Sequence, residues 1–338
     1  MTCHPHPAYL GPEALATDPR PLRGLVPPAR GPVVRAFAPA SAGNFIAGFD
    51  VLGASLRSLE GPPLGDHVEV AEGPGPRLRV EGPGSAGLPE DPEDNLVLHA
   101  ARAFERAWGR SLPPLCFRLW KGLPVGSGLG GSAASVAATL VALNGLLGRP
   151  LEPARLLHAA GEAEGHASGS VHLDNVAPAL FGGLRLVDPA GRARRLPFPG
   201  RWRFVVASPG LSLATREARA ALPATMPLAL AVEHARNLAA LVDRLHRGRA
   251  VDGLLRDLLA EPHRADLVPG FRRVQRAALG AGALGCSLSG AGPACLALAD
   301  REGADTVAGA MAGAWRSEGI PCVVRVCELD PQGARVAA

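Results

Sequence analysis

The chain almost lacks lysine. Of its 35 basic residues Lys121 alone is a lysine, and all the others are arginine. A G-x-x-x-x-G-K-[ST] phosphate loop carries its lysine inside the glycine turn, so a nucleotide site of that kind is excluded. Cysteine is also sparse. Cys3, Cys116, Cys286, Cys295, Cys322 and Cys327 form no C-x-x-C pair and no cysteine–histidine group with zinc spacing. They read as buried or idle thiols of a reducing, cytoplasmic compartment. No apolar run approaches the roughly 20 residues of a membrane-spanning helix. Residues 1–30 lack an apolar signal core and carry Pro5, Pro7, Pro12, Pro19, Pro21, Pro27 and Pro28, so they read as a loosely ordered tail. The net charge of +4 is small and scattered. The densest basic cluster, Arg192, Arg194, Arg195, Arg201 and Arg203, lies among glycines and prolines and reads as a solvated loop. Neither nucleic acid nor membrane is implied.

What is present suits a globular enzyme, with 47% hydrophobic and 20% charged residues in 338. That length accommodates two domains. The Gly/Pro/Arg-rich stretch at 189–201 marks a boundary, giving domains 31–195 and 196–338. Alternating polar and apolar residues predict strands in "HVEVAEG", "RLRVEG" and "LCFRLWKG", and "VVRAFAP" reads as a short strand entering a loop. "EDNLVLHAARAFERAWG" has helical spacing and stops at Gly109. "SAASVAATLVALNGLLG" is apolar on nearly every face and predicts a buried helix, and "EPARLLHAAGEAEG" predicts another. "FGGLRLVD", "WRFVVASPG" and "PCVVRVCEL" read as strands, 228–279 as mostly helical, and "GCSLSGAGPACLALAD" as strand, glycine turn, strand. This mixed order argues for α+β rather than a doubly wound sheet.

The stretch needing explanation is "PVGSGLGGSAAS", Pro124–Ser135. Gly126, Gly128 and Gly131 fit G-x-G-x-x-G, but a dinucleotide fold needs a strand after the next helix, and here a second helix follows. A nucleophile elbow needs G-x-S-x-G, and neither Ser127 nor Ser132 has both glycines. A phosphate cradle fits best. Bare glycines let backbone N–H groups approach a triphosphate, and the next helix presents its positive end there. Ser132, at or near the N-cap, can offer its hydroxyl to phosphate or Mg²⁺. A flexible turn capped by Ser132 is the plain structural alternative.

The loop resembles the P-x-x-x-G-L-x-S-S-A signature of the GHMP small-molecule kinases, with Pro124, Gly128, Leu129, Ser132 and Ala133 in place. Gly131 departs from it, standing where the family usually has the first serine. "PASAGNFIAGFDVLG" (39–53), "SGSVHLDNVAPALFGG" (168–183), "SPGLSLATREAR" (208–219), "EPHR" (261–264) and "GALGCSLSGAGP" (282–293) resemble segments of the homoserine kinase branch, in family order. The G-E-H triplet of the galactokinase and mevalonate kinase branches does not appear.

This resemblance implies a two-domain α+β GHMP kinase fold, an N-terminal mixed sheet with helices and a C-terminal ferredoxin-like sandwich, with the site between them. It implies ATP and Mg²⁺, L-homoserine as acceptor, and a place in threonine biosynthesis. A homodimer is common in the family. Ser132 and Glu164 would hold Mg²⁺ and Asn175 would lie beside the transferred phosphate. Asn44 would orient the acceptor hydroxyl, Asp50 would take the ammonium, and Arg219 and Arg264 the carboxylate. His172 and Thr215 would line the same pocket. Asn95 would face adenine, and Pro124, Gly126, Ser127, Gly128, Leu129, Gly130, Gly131, Ser132 and Ala133 would cradle the phosphates. No residue stands out as a general base. A GHMP kinase for another small alcohol, of mevalonate, shikimate or sugar type, or a non-catalytic nucleotide sensor on the same fold are the competing readings.

Overall fold

A computed structural model describes residues 4–5, 31–75, 77–168 and 171–337. The expected tail therefore lies outside the described residues apart from His4–Pro5, as do Gly169 and Ser170 of the central motif.

The first half is built on β1 (Val34–Gly43), β2 (Leu52–Ser58), β3 (Gly65–Glu72), β4 (Arg77–Glu81) and β5 (Leu115–Trp120). These lie side by side in the order β2-β1-β3-β5-β4, with β4 parallel to β5 and the others antiparallel. β1 runs on past Pro39 to Gly43, longer than expected, because β2 gives its far end a second partner. β5 does not expose alternate residues as its pattern suggested. It is sandwiched between β3 and β4, and Arg118 is buried against Glu69 and Glu81.

Helices α1 (Leu96–Trp108), α2 (Gly131–Leu146), α3 (Pro153–Ser168) and α4 (Leu173–Phe181) cover this sheet. α1 stops where Gly109 adopts the left-handed conformation, as the sequence indicated. α2 packs on β1 and β3 and is enclosed by the other three helices, which is why it is apolar all round. Ala133, Ala134, Ala137 and Ala138 are fully buried and let sheet and helices approach closely.

β6 (Leu184–Val187) and β7 (Ala193–Leu196) extend from β2 and lead into the second half. There, β8 (Trp202–Pro209), β9 (Gly285–Leu288), β10 (Cys295–Asp300) and β11 (Cys322–Leu329) lie in the order β9-β10-β8-β11, all antiparallel. α5 (Thr215–Ala220), α6 (Leu228–His246), α7 (Glu261–Arg264), α8 (Phe271–Gly280) and α9 (Ala304–Ser317) complete the described α-helices. α8 and α9 pack on the four-stranded sheet around Phe271, Met311 and Trp315. This βαββαβ order is the ferredoxin-like arrangement. Periodicity does not reveal α9, because its alanines and glycines dilute its apolar stripe. β11 also pairs with β2, with Cys327 opposite Ser58, so one sheet runs through both halves.

Candidate active site

A cleft of about 380 Å³ opens where the two halves meet. One wall is the glycine loop. Gly126, Gly128 and Gly130 have φ of +68°, +80° and +65°, a region that side-chain-bearing residues rarely adopt. The loop is braced from the second half. Leu213 N–H donates to Gly126 O at 3.0 Å and Ala294 N–H to Ser127 O at 3.1 Å. A Cβ on Gly128 would stand 2.7 Å from Ser289 O and 2.8 Å from Gly292 O. The "SGAGP" turn therefore closes directly over the loop. Ser132 lies near the N-cap, as expected, but is not the cap itself. Gly130 takes that position, and Ser132 is the second residue of α2, because the left-handed turn at Gly130 starts the helix early. Pro124, Gly126, Ser127, Gly128, Gly130, Gly131 and Ser132 line the cleft, whereas the side chains of Leu129 and Ala133 are buried behind it. Ser127 Oγ is buried and makes no hydrogen bond among the described residues.

The floor is made where α4 meets the first hairpin. Gly43 and Gly53 face each other across β1 and β2. A Cβ on Gly53 would fall on the Asp174 carbonyl oxygen, and one on Gly43 would strike the side chains of Asp174 and Asn175. Two bare residues in register thus admit the first turn of α4. Asn175 Oδ1 accepts the Ser41 hydroxyl at 3.0 Å. The buried Asp174 carboxylate accepts Asn44 N–H at 3.0 Å. That bond holds an uncommon turn in which Asn44, Phe45 and Ile46 have φ of +69°, +38° and +63°. The Asn44 amide accepts Asp50 N–H at 3.1 Å and donates to Gly290 O at 3.0 Å. The turn thereby aims Asp50 and ties itself to the closing loop. Burial pushes Asp174 up to about 6.

At the far end Arg219 Nη1 donates to Asp50 Oδ2 at 2.5 Å, and His172 Nδ1 lies 3.5 Å from Asp50 Oδ1. Burial would raise the Asp50 carboxyl, but hydrogen bonds from His172 and Arg219 outweigh it and hold it low. The same bond raises His172 against its own burial. Arg264 is buried and anchored on Ala218 O at 2.9 Å and Gly290 O at 3.3 Å. Phe49, which sequence reasoning missed, lies under both guanidinium groups, 5.2 Å from Arg219 and 5.5 Å from Arg264. Thr215, at the start of α5, lines the cleft with them.

Glu164, on α3, lines the cleft together with Ser132. Burial raises its carboxyl to about 7, with Lys121 pulling the other way. Among the described residues no group of three or more His, Cys, Asp or Glu could hold a metal unaided. One carboxylate and one hydroxyl suit a Mg²⁺ that completes its shell with water and nucleotide phosphates. Asn95 also lines the cleft, and its Oδ1 accepts Val97 N–H at 3.0 Å, so it caps α1 as well. No described helix is long and apolar enough to cross a membrane.

The family model for the GHMP kinases N terminal domain matches residues 95–183, and that for GHMP kinases C terminal matches 229–317. The structure is similar to homoserine kinase from Cytophaga hutchinsonii, at 35% identity and a TM-score of 0.84, over 93% of this chain and 100% of that one. It is also similar to a candidate homoserine kinase from Listeria monocytogenes, at 25% identity and 0.66, over 90% and 99%. L. major mevalonate kinase shares the fold at 18% identity and 0.63, over 87% and 95%.

Proposed function

The chain belongs to the GHMP kinases, and from that premise we propose that it transfers the γ-phosphoryl group of Mg-ATP to the side-chain hydroxyl of L-homoserine. The observation that carries this reading is the facing of Asp50 against Arg219 and Arg264 in the cleft. A zwitterion offers an ammonium to the first and a carboxylate to the other two. Mevalonate has no ammonium, and a sugar has neither group. The guanidinium fork suits a carboxylate bidentately.

Phosphoryl transfer asks the protein mainly for placement and charge neutralisation. Mg-ATP, when bound, supplies the phosphoryl group and part of that neutralisation, with Ser132 and Glu164 as the metal's protein ligands. The N–H groups of the glycine loop and the start of α2 receive the phosphates. Asp50, Arg219 and Arg264 fix the two charged ends of the acceptor, which leaves its hydroxyl directed toward Asn44 and Asn175. Asn44 orients that hydroxyl, and proximity supplies most of the acceleration. Asp174 is engaged by Asn44 N–H and acts by holding the turn.

The test is ADP release by the purified protein from Mg-ATP with L-homoserine, its analogues lacking the ammonium or carboxylate, mevalonate, galactose or shikimate. Selective turnover of L-homoserine is expected. Turnover of a different alcohol would keep the kinase and remove this acceptor. ATP binding without turnover of any of them would favour a nucleotide sensor.

A further inference from the structure

Lys121 is the one lysine in a chain that otherwise uses arginine, and it lies just outside the signature loop. The structure shows what an arginine could not do there. Lys121 follows β5, is 2% exposed, and its Nζ donates to Asp66 Oδ2 at 2.5 Å, to Gly131 O at 2.6 Å and to Ser135 Oγ at 3.0 Å. Those three bonds use every hydrogen of an ammonium. A planar guanidinium has neither the size nor the geometry for that cage. Asp66, fully buried, also accepts Gly122 N–H at 2.9 Å and Leu123 N–H at 3.0 Å, so the same pair fixes the backbone entering the loop. Gly131, the departure from the family signature, belongs to this device. A Cβ there would stand 3.0 Å from Lys121 Nζ.

A cation beneath the first turn of α2 opposes the positive end of that helix. Asp66 balances one charge only. An anion in front of the loop completes the balance, and Lys121 itself lines the cleft. We propose that Lys121 is a positioning residue for the nucleotide phosphates: through Gly131 O and Asp66 it sets the loop and the start of α2, and it places a fixed positive charge behind them. This rests on the kinase reading only in requiring that the loop bind a nucleotide, and it is independent of the acceptor.

The test compares ADP with adenosine, binding by calorimetry to the full chain. Lys121→Met is expected to weaken ADP by about tenfold or more and adenosine by less than about twofold. Lys121→Arg should not rescue it. Lys121→Met leaves Asp66 buried without its cation and threatens folding. The double variant Lys121→Met/Asp66→Asn removes both charges while an amide oxygen still accepts Gly122 and Leu123 N–H, and the same selective loss of ADP is expected of it. A single lysine also gives a single side-chain signal in 13C-lysine-labelled protein. ADP should shift that signal, and adenosine should leave it in place. A double variant that binds ADP like the unaltered protein, or loses ADP and adenosine equally, would overturn the proposal. Unaltered protein that binds no ADP overturns the kinase reading itself, and this inference with it.

Discussion

Arg219 Nη1 and Asp50 Oδ2, from residues 169 positions apart in the chain, are hydrogen-bonded at 2.5 Å across the cleft. Each group thus stands in for part of the ligand proposed for the other. A zwitterion can open this pair without leaving either charge alone, whereas an anion or a cation alone would strand one of them. Arg219→Ala should raise KM for L-homoserine about a hundredfold, the roughly 2–3 kcal/mol of a lost charge-assisted contact. KM for ATP should change by less than about threefold. Steady-state kinetics with each substrate varied in turn checks the split. Phe49→Leu, which removes only the aromatic face under the two guanidinium groups, should cost about fivefold in the same KM.

Glu164 makes stability depend on pH in an unusual direction. Its ordinary value is 4.5 and burial raises it to about 7. Between those values the folded chain keeps a proton that the unfolded chain has released. Its contribution to stability is therefore present at low pH and lost as pH rises through about 7. Glu164→Gln should stabilise the metal-free protein by about 3 kcal/mol at about pH 8 and by little at about pH 4.5, while lowering turnover about a hundredfold or more. Denaturant melts at the two pH values, beside an assay with Mg-ATP, read both effects.

Asp174 sits outside the cleft's charged pair but governs its geometry. Its carboxylate accepts the N–H of Asn44, the first residue of a turn with three successive positive φ values. Such backbone costs about 1–3 kcal/mol per residue and persists only where its surroundings hold it. Asp174→Ala should lower kcat/KM for L-homoserine by about tenfold to a hundredfold. Asp174→Asn, which keeps an oxygen acceptor, should recover most of that loss. A general base at this position would give the opposite pattern, with the amide as poor as the alanine.

Much of this fold was legible because periodicity and punctuation agree. α1 has a stripe that ends at a glycine, and α2 is apolar on every face because it is enclosed on every side. β5 misled because Arg118 reads as solvent-facing, whereas its side chain is buried against the half-buried carboxylates of Glu69 and Glu81. The glycine loop, Asp50, Arg219 and Arg264 were legible through resemblance, since those residue types recur at matched spacing. Phe49 and Asp66 were not. One works as a surface under two cations and the other as an anchor on the neighbouring strand, distant in sequence, and neither role leaves a local pattern.

Gly43 and Gly53 separate clearance from flexibility as reasons for a glycine. Neither has a positive φ, so backbone conformation alone does not call for glycine at either position. What forbids a side chain is α4, since a Cβ at Gly53 would coincide with the Asp174 carbonyl oxygen. Gly148 is the reverse case, with φ of +77° and nothing within 4 Å of a built Cβ. Gly148→Ala should therefore cost about 1 kcal/mol, a backbone penalty with no consequence for the site. Gly53→Ala must displace the first turn of α4, and should cost about 3 kcal/mol or more. Because that turn carries Asp174 and Asn175, any Gly53→Ala protein that still folds should lose turnover of L-homoserine out of proportion to its stability. Melts and kinetics on both variants decide the point, and a Gly53→Ala enzyme with unchanged kcat would show that the hairpin does not set the position of α4.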